Sequence, residues 1–324
     1  MKIIEKQSDI DKFQKGCVLT IGNFDGVHIG HQQILKTAKS KALENKRILA
    51  VLTFEPHPLS VLRPENPPLT LTPLPLKKHL LAGFGVDYFI VLKSEEELLS
   101  LSASDFVQQF LVKQIRPSLV VEGHDFNFGS DRSGSVKTLQ QLSRRMGFEV
   151  VVVEPKQAKL SDGCWIRVSS TLIRDMLAAG RVADAAVTMK RSYRLLGRTV
   201  PGRGKGKELG FPTLNMEKPE QVICAEGVYA GTVEIAESLE QLCRSNEKLP
   251  AALSIGSAET LGEDNPLMIE AHLLEEQPGD LSAKWLAIDF VKYIREQKKF
   301  ETEKELSEQM AKDCEKTEEV LRMN

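Results

Sequence analysis

The stretch CVLTIGNFDGVHIGH, residues 17–31, decides the fold. Residues 17–22 form a short apolar run bounded by glycine, the pattern of a buried strand, and residues 30–46 have helical period. The glycines between them let the backbone turn sharply and come close to a ligand. The helix then begins with its free amides and positive dipole end facing that same turn, a natural seat for an anion. His28 and His31 flank Gly30 at the mouth of the helix. Two imidazoles placed there can donate hydrogen bonds to phosphate oxygens and offset charge that builds up as a leaving group departs. The same pair could cap the helix or begin a metal site, although no third ligand at suitable spacing accompanies it.

Working outward, residues 48–54, 86–92, 118–121 and 149–153 read as further buried strands, and 73–83, 104–115 and 134–146 as helices. Ser104 suits an N-cap ahead of Phe106, Phe110 and Leu111. Strands alternating with helices predict a parallel sheet covered on both faces, with ligands beyond the carboxyl ends of its strands. Two more helical segments fall around 169–190, and then the pattern changes. Short runs at 193–200, 228–235, 250–255, 267–274 and 285–291, separated by Gly/Pro turns, predict an antiparallel barrel or sandwich. A charged helix over 302–322 closes the chain, docked by Leu306, Met310, Val320 and Leu321, with its charges solvated. We place the domain boundary so that residues 1–186 and 187–324 form separate domains.

The bulk properties fit this division. A chain of 324 residues is long for one ordinary domain, and 41% hydrophobic with 27% charged residues is a globular composition. A formal net charge of −2 gives no global pull toward nucleic acid or an acidic membrane. The five cysteines are scattered and none form CxxC, so we expect reduced thiols. The N-terminus MKIIEKQSDIDK lacks the apolar core of a signal peptide, and no run approaches a membrane span. A cytoplasmic protein with small-molecule substrates, no nucleic-acid or membrane partner, and a monomeric or transiently homo-oligomeric state is expected.

The second half carries GRTVPGRGKGKELGFPTLN at 197–215. Gly202, Gly204 and Gly206 loosen a loop that Lys205 and Lys207 make electropositive. It is not a P-loop, because neither Gly-Lys pair precedes Ser or Thr and no helical segment follows. A Gly/Lys turn of this kind suits phosphate binding or an ordinary surface loop.

GNFDGVHIGH resembles the signature of the HxGH nucleotidyltransferases, and the whole chain resembles the bacterial bifunctional riboflavin kinase/FMN adenylyltransferase family. TFEPHP at 53–58 is similar to that family's second signature, GHDFNFGSDRSG at 123–134 to its flavin- and nucleotide-contacting loop, and VSSTLIR at 168–174 to its serine-rich anion-binding element. GFPTLN at 210–215 resembles the kinase signature GFPTxN, EGVYAG at 226–231 the following strand, and IEAHLLEEQPGDL at 269–281 the segment bearing the catalytic glutamate.

The resemblance implies a Rossmann-like α/β nucleotidyltransferase domain followed by an antiparallel β-barrel kinase domain ending in a helix. It implies catalytic roles for His28, His31 and Glu270. It also implies ATP or phosphate contacts from Gly22, Asn23, Phe24, Gly30, Arg132, Ser169, Ser170, Thr171 and Arg174, joined by Gly202, Gly204, Lys205, Gly206 and Lys207. Flavin contacts would come from Phe54, Pro56, His57, Pro58, Asp125, Phe126 and Phe128. Thr213 and Asn215 would help hold Mg²⁺ with ATP. Riboflavin, ATP, FMN and FAD would be the substrates and products, with the phosphate of FMN attacking the α-phosphorus of ATP directly.

Some segments depart from the pattern. SIGSAETLG at 254–262 stands where the family has an NIG…NPTFG-like run, DLSA at 280–283 replaces a DLYG-like turn, and KRSY before residue 194 differs from the usual linker. Two other readings stay open at this point: an adenylyltransferase with a degenerate flavin-binding or regulatory second domain, and an HxGH enzyme acting on pantetheine phosphate or a pyridine mononucleotide.

Overall fold

The computed structural model describes residues 1–6, 9–10, 15–202, 206, 209–243, 247–257, 267–275 and 284–323. Gly204, Lys205 and Lys207 lie outside the described residues, as do 258–262 and 280–283 of the divergent segments. The chain folds into two compact units, one of residues 1–69 with 76–157 and one of residues 70–75 with 158–324.

The first unit is built on a parallel sheet of order β1-β4-β3-β2-β5-β6, with β1 Lys2–Ile4, β2 Val18–Ile21, β3 Leu49–Glu55, β4 Tyr88–Lys93, β5 Leu119–Gly123 and β6 Glu149–Val153. β2 is wholly buried, as expected of a central parallel strand. The strand order reverses between β2 and β5, so the first loop of the chain's motif leaves the sheet at the switch point. Helices α1 Ile29–Glu44, α2 Pro58–Leu62, α3 Leu74–Ala82 and α4 Val136–Met146 accompany it. A core of Leu19, Ile21, Val120, Phe106, Phe110 and Leu139 fills one face.

Several expectations need correction here. β1 is a three-residue strand that the charged N-terminus conceals; it pairs with β4 at Lys2↔Tyr88. β6 is not fully buried, because it is an edge strand with Glu149 exposed and three half-buried valines. Ser104 is not the N-cap: Ser102 accepts the Asp105 amide, and one α-turn at Ala103–Asp105 runs into a π-helix at Phe106–Ile115. The wider π turn ends with Arg116 N–H donating to Leu111 O at 2.7 Å and Arg116 in the left-handed region.

In the second unit a hairpin of β7 Gln157–Lys159 and β8 Trp165–Arg167 begins at the last residue of the first unit and precedes α5 Ser170–Ala178 and α6 Val182–Met189. Six antiparallel strands then close a barrel: β9 Tyr193–Val200, β10 Thr213–Met216, β11 Gly227–Ala236, β12 Leu249–Ser257, β13 Leu267–Leu273 and β14 Trp285–Arg295, in the order β9-β10-β13-β12-β11-β14. β10 is a strand that the turn-like string GFPTLN hides. Between β9, β11 and β14, Arg194 Nη2 bonds Glu234 at 2.5 Å and Asp289 at 2.6 Å, so two buried carboxylates share one guanidinium. This is the pairing that a low-dielectric site requires.

The last helix, α7 Glu303–Arg322, packs on β11, β12 and β14. Val320 anchors it at 1% exposed, as anticipated, but not all its charges are solvated. Asp313 is 5% exposed and receives two Arg295 nitrogens, Nε at 2.9 Å and Nη2 at 2.6 Å. A helix seated by a buried bidentate ion pair looks, from periodicity alone, like a helix with a polar face.

Candidate functional sites

At the end of β2 the chain enters a tightly wound turn in which Phe24 (φ 48°), Gly26 (φ 82°) and Val27 (φ 40°) all have positive φ. Phe24 is buried at 2% exposed, which pays for its backbone strain by packing and pins the turn from below. His28 is the N-cap of α1, its Nδ1 accepting the His31 amide at 3.3 Å. With Nδ1 an acceptor, the neutral ring carries its proton on Nε2 and presents a donor. The two imidazoles stack, centroids 3.7 Å apart and 14° from parallel. Gly30 makes this possible: a Cβ there would meet His28 Cε1 at 3.0 Å. Capping α1 and stacking on His31 are thus done by one side chain. Among the described residues no cluster of three or more His, Cys, Asp or Glu could hold a metal.

The neighbouring signatures converge on this turn. The Asn23 amide lies 2.9 Å from His57 Nε2, which ties GNFDG to TFEPHP. His57 in turn caps α2, accepting the Leu59 amide at 3.1 Å. The Glu55–Pro56 bond is cis, and Pro58 opens α2. Phe54 is half-buried on the core face, as is Phe126, which stacks on Phe128 with centroids 5.4 Å apart. Phe128 itself is 7% exposed and belongs to the core against Phe106. Asp125 is exposed, and Arg132 is exposed with φ 57°.

Ser169 caps α5 by accepting the Leu172 amide, and Ser170, Thr171 and Arg174 follow in its first turns. These four residues belong to the second compact unit, whereas His28 and His31 belong to the first.

Two buried ionisable groups beside the turn escaped the sequence reading. Lys77 on α3 is 4% exposed; burial pulls the pKa of its ammonium down, and the carboxylates of Asp25 and Glu55 work against that. Its signal was the apolar stripe of α3, in which Lys77 and Leu81 share a face. Glu122 on β5 is 2% exposed and accepts the Ile21 amide at 2.7 Å.

The barrel carries the second constellation. Thr213 and Asn215 alternate onto the same face of β10. Asn215 is directly opposite Glu270 on β13, and Glu270 is directly opposite Ser254 on β12. Asn215 is 7% exposed, and its Oδ1 has no hydrogen-bond partner among the described residues. Gly202 lies against that amide so closely that a Cβ would fall 2.2 Å from Nδ2. Next to Glu270, His272 Nδ1 donates to Pro212 O at 2.8 Å and its ring meets Phe211 edge-on. A cleft of about 420 Å³ opens here, lined among others by Gly206, Thr213, Glu270, His272, Phe300 and Met310. Oxygen-bearing and apolar side chains in one cleft suit a ligand with both polar and flat apolar parts.

Comparison with known proteins finds two families along the chain. Residues 10–171 match the family model for FAD synthetase and residues 189–321 that for riboflavin kinase. The chain is 34% identical to the bifunctional riboflavin kinase/FMN adenylyltransferase of Escherichia coli K12 over 93% of its length and 91% of the relative's. The chain belongs to this family. The Haemophilus influenzae member is likewise 34% identical, covering 97% of each chain. Among solved structures, one described as a macrolide-efflux protein from Streptococcus pneumoniae superposes with a TM-score of 0.83 at 25% identity, over 98% of this chain and 99% of that one. No helix among the described residues is long and apolar enough to cross a membrane. Within the family framework, the order of the two matched regions is the order of the two constellations along the chain.

Proposed function

We infer that the chain makes FAD from riboflavin in two steps: riboflavin and ATP give FMN and ADP in the barrel half, and FMN and a second ATP give FAD and pyrophosphate in the sheet half. The observation that supports this reading is the pair of chemically different constellations on one chain: stacked imidazoles at a helix mouth, and an oxygen-lined cleft beside a strand carboxylate. We assign residues 1–186 to the adenylyltransferase function and 187–324 to the kinase, acting on small molecules in the cytoplasm as a monomer or transient homo-oligomer.

In the kinase step Glu270 takes the proton of the ribityl 5′-hydroxyl as its oxygen bonds to the γ-phosphorus and the bond to the β-phosphate oxygen breaks. The unpartnered Oδ1 of Asn215 and the hydroxyl of Thr213 are hard oxygen donors that fit Mg²⁺. When bound there, Mg²⁺ supplies charge neutralisation on the triphosphate. Gly202 and Gly206, with Gly204, Lys205 and Lys207, hold the phosphates, and Phe300 and Met310 cover the flavin ring.

In the adenylyl step a phosphate oxygen of FMN attacks the α-phosphorus of ATP and pyrophosphate leaves, with no protein nucleophile. Such transfer needs alignment and charge stabilisation more than covalent help. The Nε2–H of His28 and the ring of His31 serve the phosphates, together with Gly22, Asn23, Phe24, Gly30 and the α1 amides. Arg132 adds an anion contact, and the resemblance assigns Ser169, Ser170, Thr171 and Arg174, at the start of α5, to an anion-binding element of the same step. Phe54, Pro56, His57, Pro58, Asp125 and Phe126 bind FMN, with Phe128 behind Phe126.

Two substitutions separate the steps. His28→Ala should lower FAD formation from FMN about 10²–10³-fold while leaving FMN formation from riboflavin within about twofold. Glu270→Gln should do the reverse, lowering FMN formation by about 10²-fold or more. Equal loss of both activities in either variant contradicts the assignment.

A further inference from the structure

β2 and β5 pair only at Val18↔Leu119 and Leu19↔Val120. β2 continues to Ile21 against β3, and β5 continues to Gly123 against β6. The two central strands therefore part at their carboxyl ends, at the crevice where a doubly wound sheet binds ligands. There the backbone ladder is replaced by a side chain: Glu122 Oε1 accepts the Ile21 amide at 2.7 Å. Alternation places Glu122 on the same face as Val120, toward the core of Phe106, Phe110 and Phe128. Gly123 faces the other way, toward Ile34 of α1 and Asp125 Oδ1. An ionisable group at 2% exposure costs stability that a valine in the same core would not.

We propose that Glu122 is a positioning residue of the adenylyl-transferring site, holding the Ile21 amide and through it the start of the Gly22–His31 turn. This rests on the reading of that turn as the ATP site. Glu122 touches neither reactant; it sets the place from which Gly22 and Asn23 depart.

Burial keeps the Glu122 carboxyl well above the usual carboxylate range, opposed by the Ile21 amide and reinforced by the negative charge of Asp125. The other titratable groups at this end of the sheet are Asp25, His28 and His31 on the turn, Lys77 on α3, Glu55 and His57 after β3, His124 after β5 and Glu154 after β6. Asp125 is the one whose field bears on Glu122. In the protonated form the carbonyl oxygen holds the amide and no charge lies under the phosphates. Raising the pH removes that proton and leaves a buried anion adjoining the phosphate site. The proton-bearing form is the competent one, so activity is lost on the alkaline side.

The test uses the full chain as wild type, Glu122→Gln and Glu122→Leu. FAD formation from FMN and ATP is followed from about pH 6 to about pH 10, a range that spans the known elevations of buried carboxyls. FMN formation from riboflavin is measured on the same preparations. We expect the KM for ATP in FAD formation to climb with pH in wild type and to stay flat in Glu122→Gln, which keeps the acceptor and cannot ionise. Glu122→Leu should lose about tenfold or more in kcat/KM for FAD at every pH, with FMN formation unchanged. A wild type without the alkaline rise, the same rise in Glu122→Gln, or a Glu122→Leu as active as wild type overturns the proposal. Should Glu122→Leu fail to fold, the pH profiles of the other two decide it. A wild type that makes no FAD at any pH overturns the reading of the turn itself, and this proposal with it.

Discussion

His28 caps its own helix through Nδ1 and stacks its ring on His31. Gly30 leaves that ring its room, since a Cβ there would come within 3.0 Å of His28 Cε1 and the capping ring would have to shift. Asn215 behaves differently, for its Oδ1 is buried with no hydrogen-bond partner among the described residues. Leaving such an oxygen unpaired costs about 1–3 kcal/mol, a cost that ligand binding can recover. On the proposed assignment of Asn215 to Mg²⁺, Asn215→Ala should raise the Mg²⁺ concentration needed for half-maximal FMN formation by about tenfold or more. A Mg²⁺ titration of the kinase reaction checks this, and an unchanged midpoint contradicts the assignment. FAD formation from FMN should keep its own Mg²⁺ dependence. At this scale the motif residues were legible because turn and helix-mouth chemistry is local. Lys77 and Glu122 were not, because each is defined by neighbours brought in from other elements: Asp25 and Glu55 for one, Ile21 for the other.

The elements divide along the same line. The central strands of the sheet and most of the barrel were readable as apolar runs, since burial on both faces leaves an unmistakable pattern. β1 was not, because three residues flanked by charge carry no periodicity, and it exists by pairing with β4. β10 was hidden because three of its four residues, Thr213 to Asn215, are also the motif. The π-helix at Phe106–Ile115 keeps the apolar spacing of an α-helix closely enough to be taken for one. α7 misled most, since Asp313 looks like solvated surface and is instead locked to Arg295. Removing one partner of a buried ion pair leaves the other unpaired, a loss of about 3–5 kcal/mol. Asp313→Leu should thus lower the thermal unfolding midpoint and weaken FMN formation, because Leu306, Met310 and Asp313 of α7 line the cleft beside Glu270. Circular dichroism melts and the kinase assay read this together; an unchanged midpoint would mean that α7 is held by Val320 and its apolar neighbours alone.

At the scale of the whole molecule, one chain joins a region matching FAD synthetase, built on a parallel sheet, to a region matching riboflavin kinase, built on a closed barrel. The sequence showed the change of architecture as a change from alternating strands and helices to short strands alone. The compact units divide after Gln157, with residues 70–75 joining the second, and the hairpin at 157–167 carries no sequence pattern that announces this. The most direct test of the two-step account supplies the full chain with riboflavin, ATP and Mg²⁺ and follows the products by chromatography. The account predicts that FMN rises first and FAD follows at its expense. FAD formed only when FMN is supplied, with riboflavin left unchanged, would contradict it.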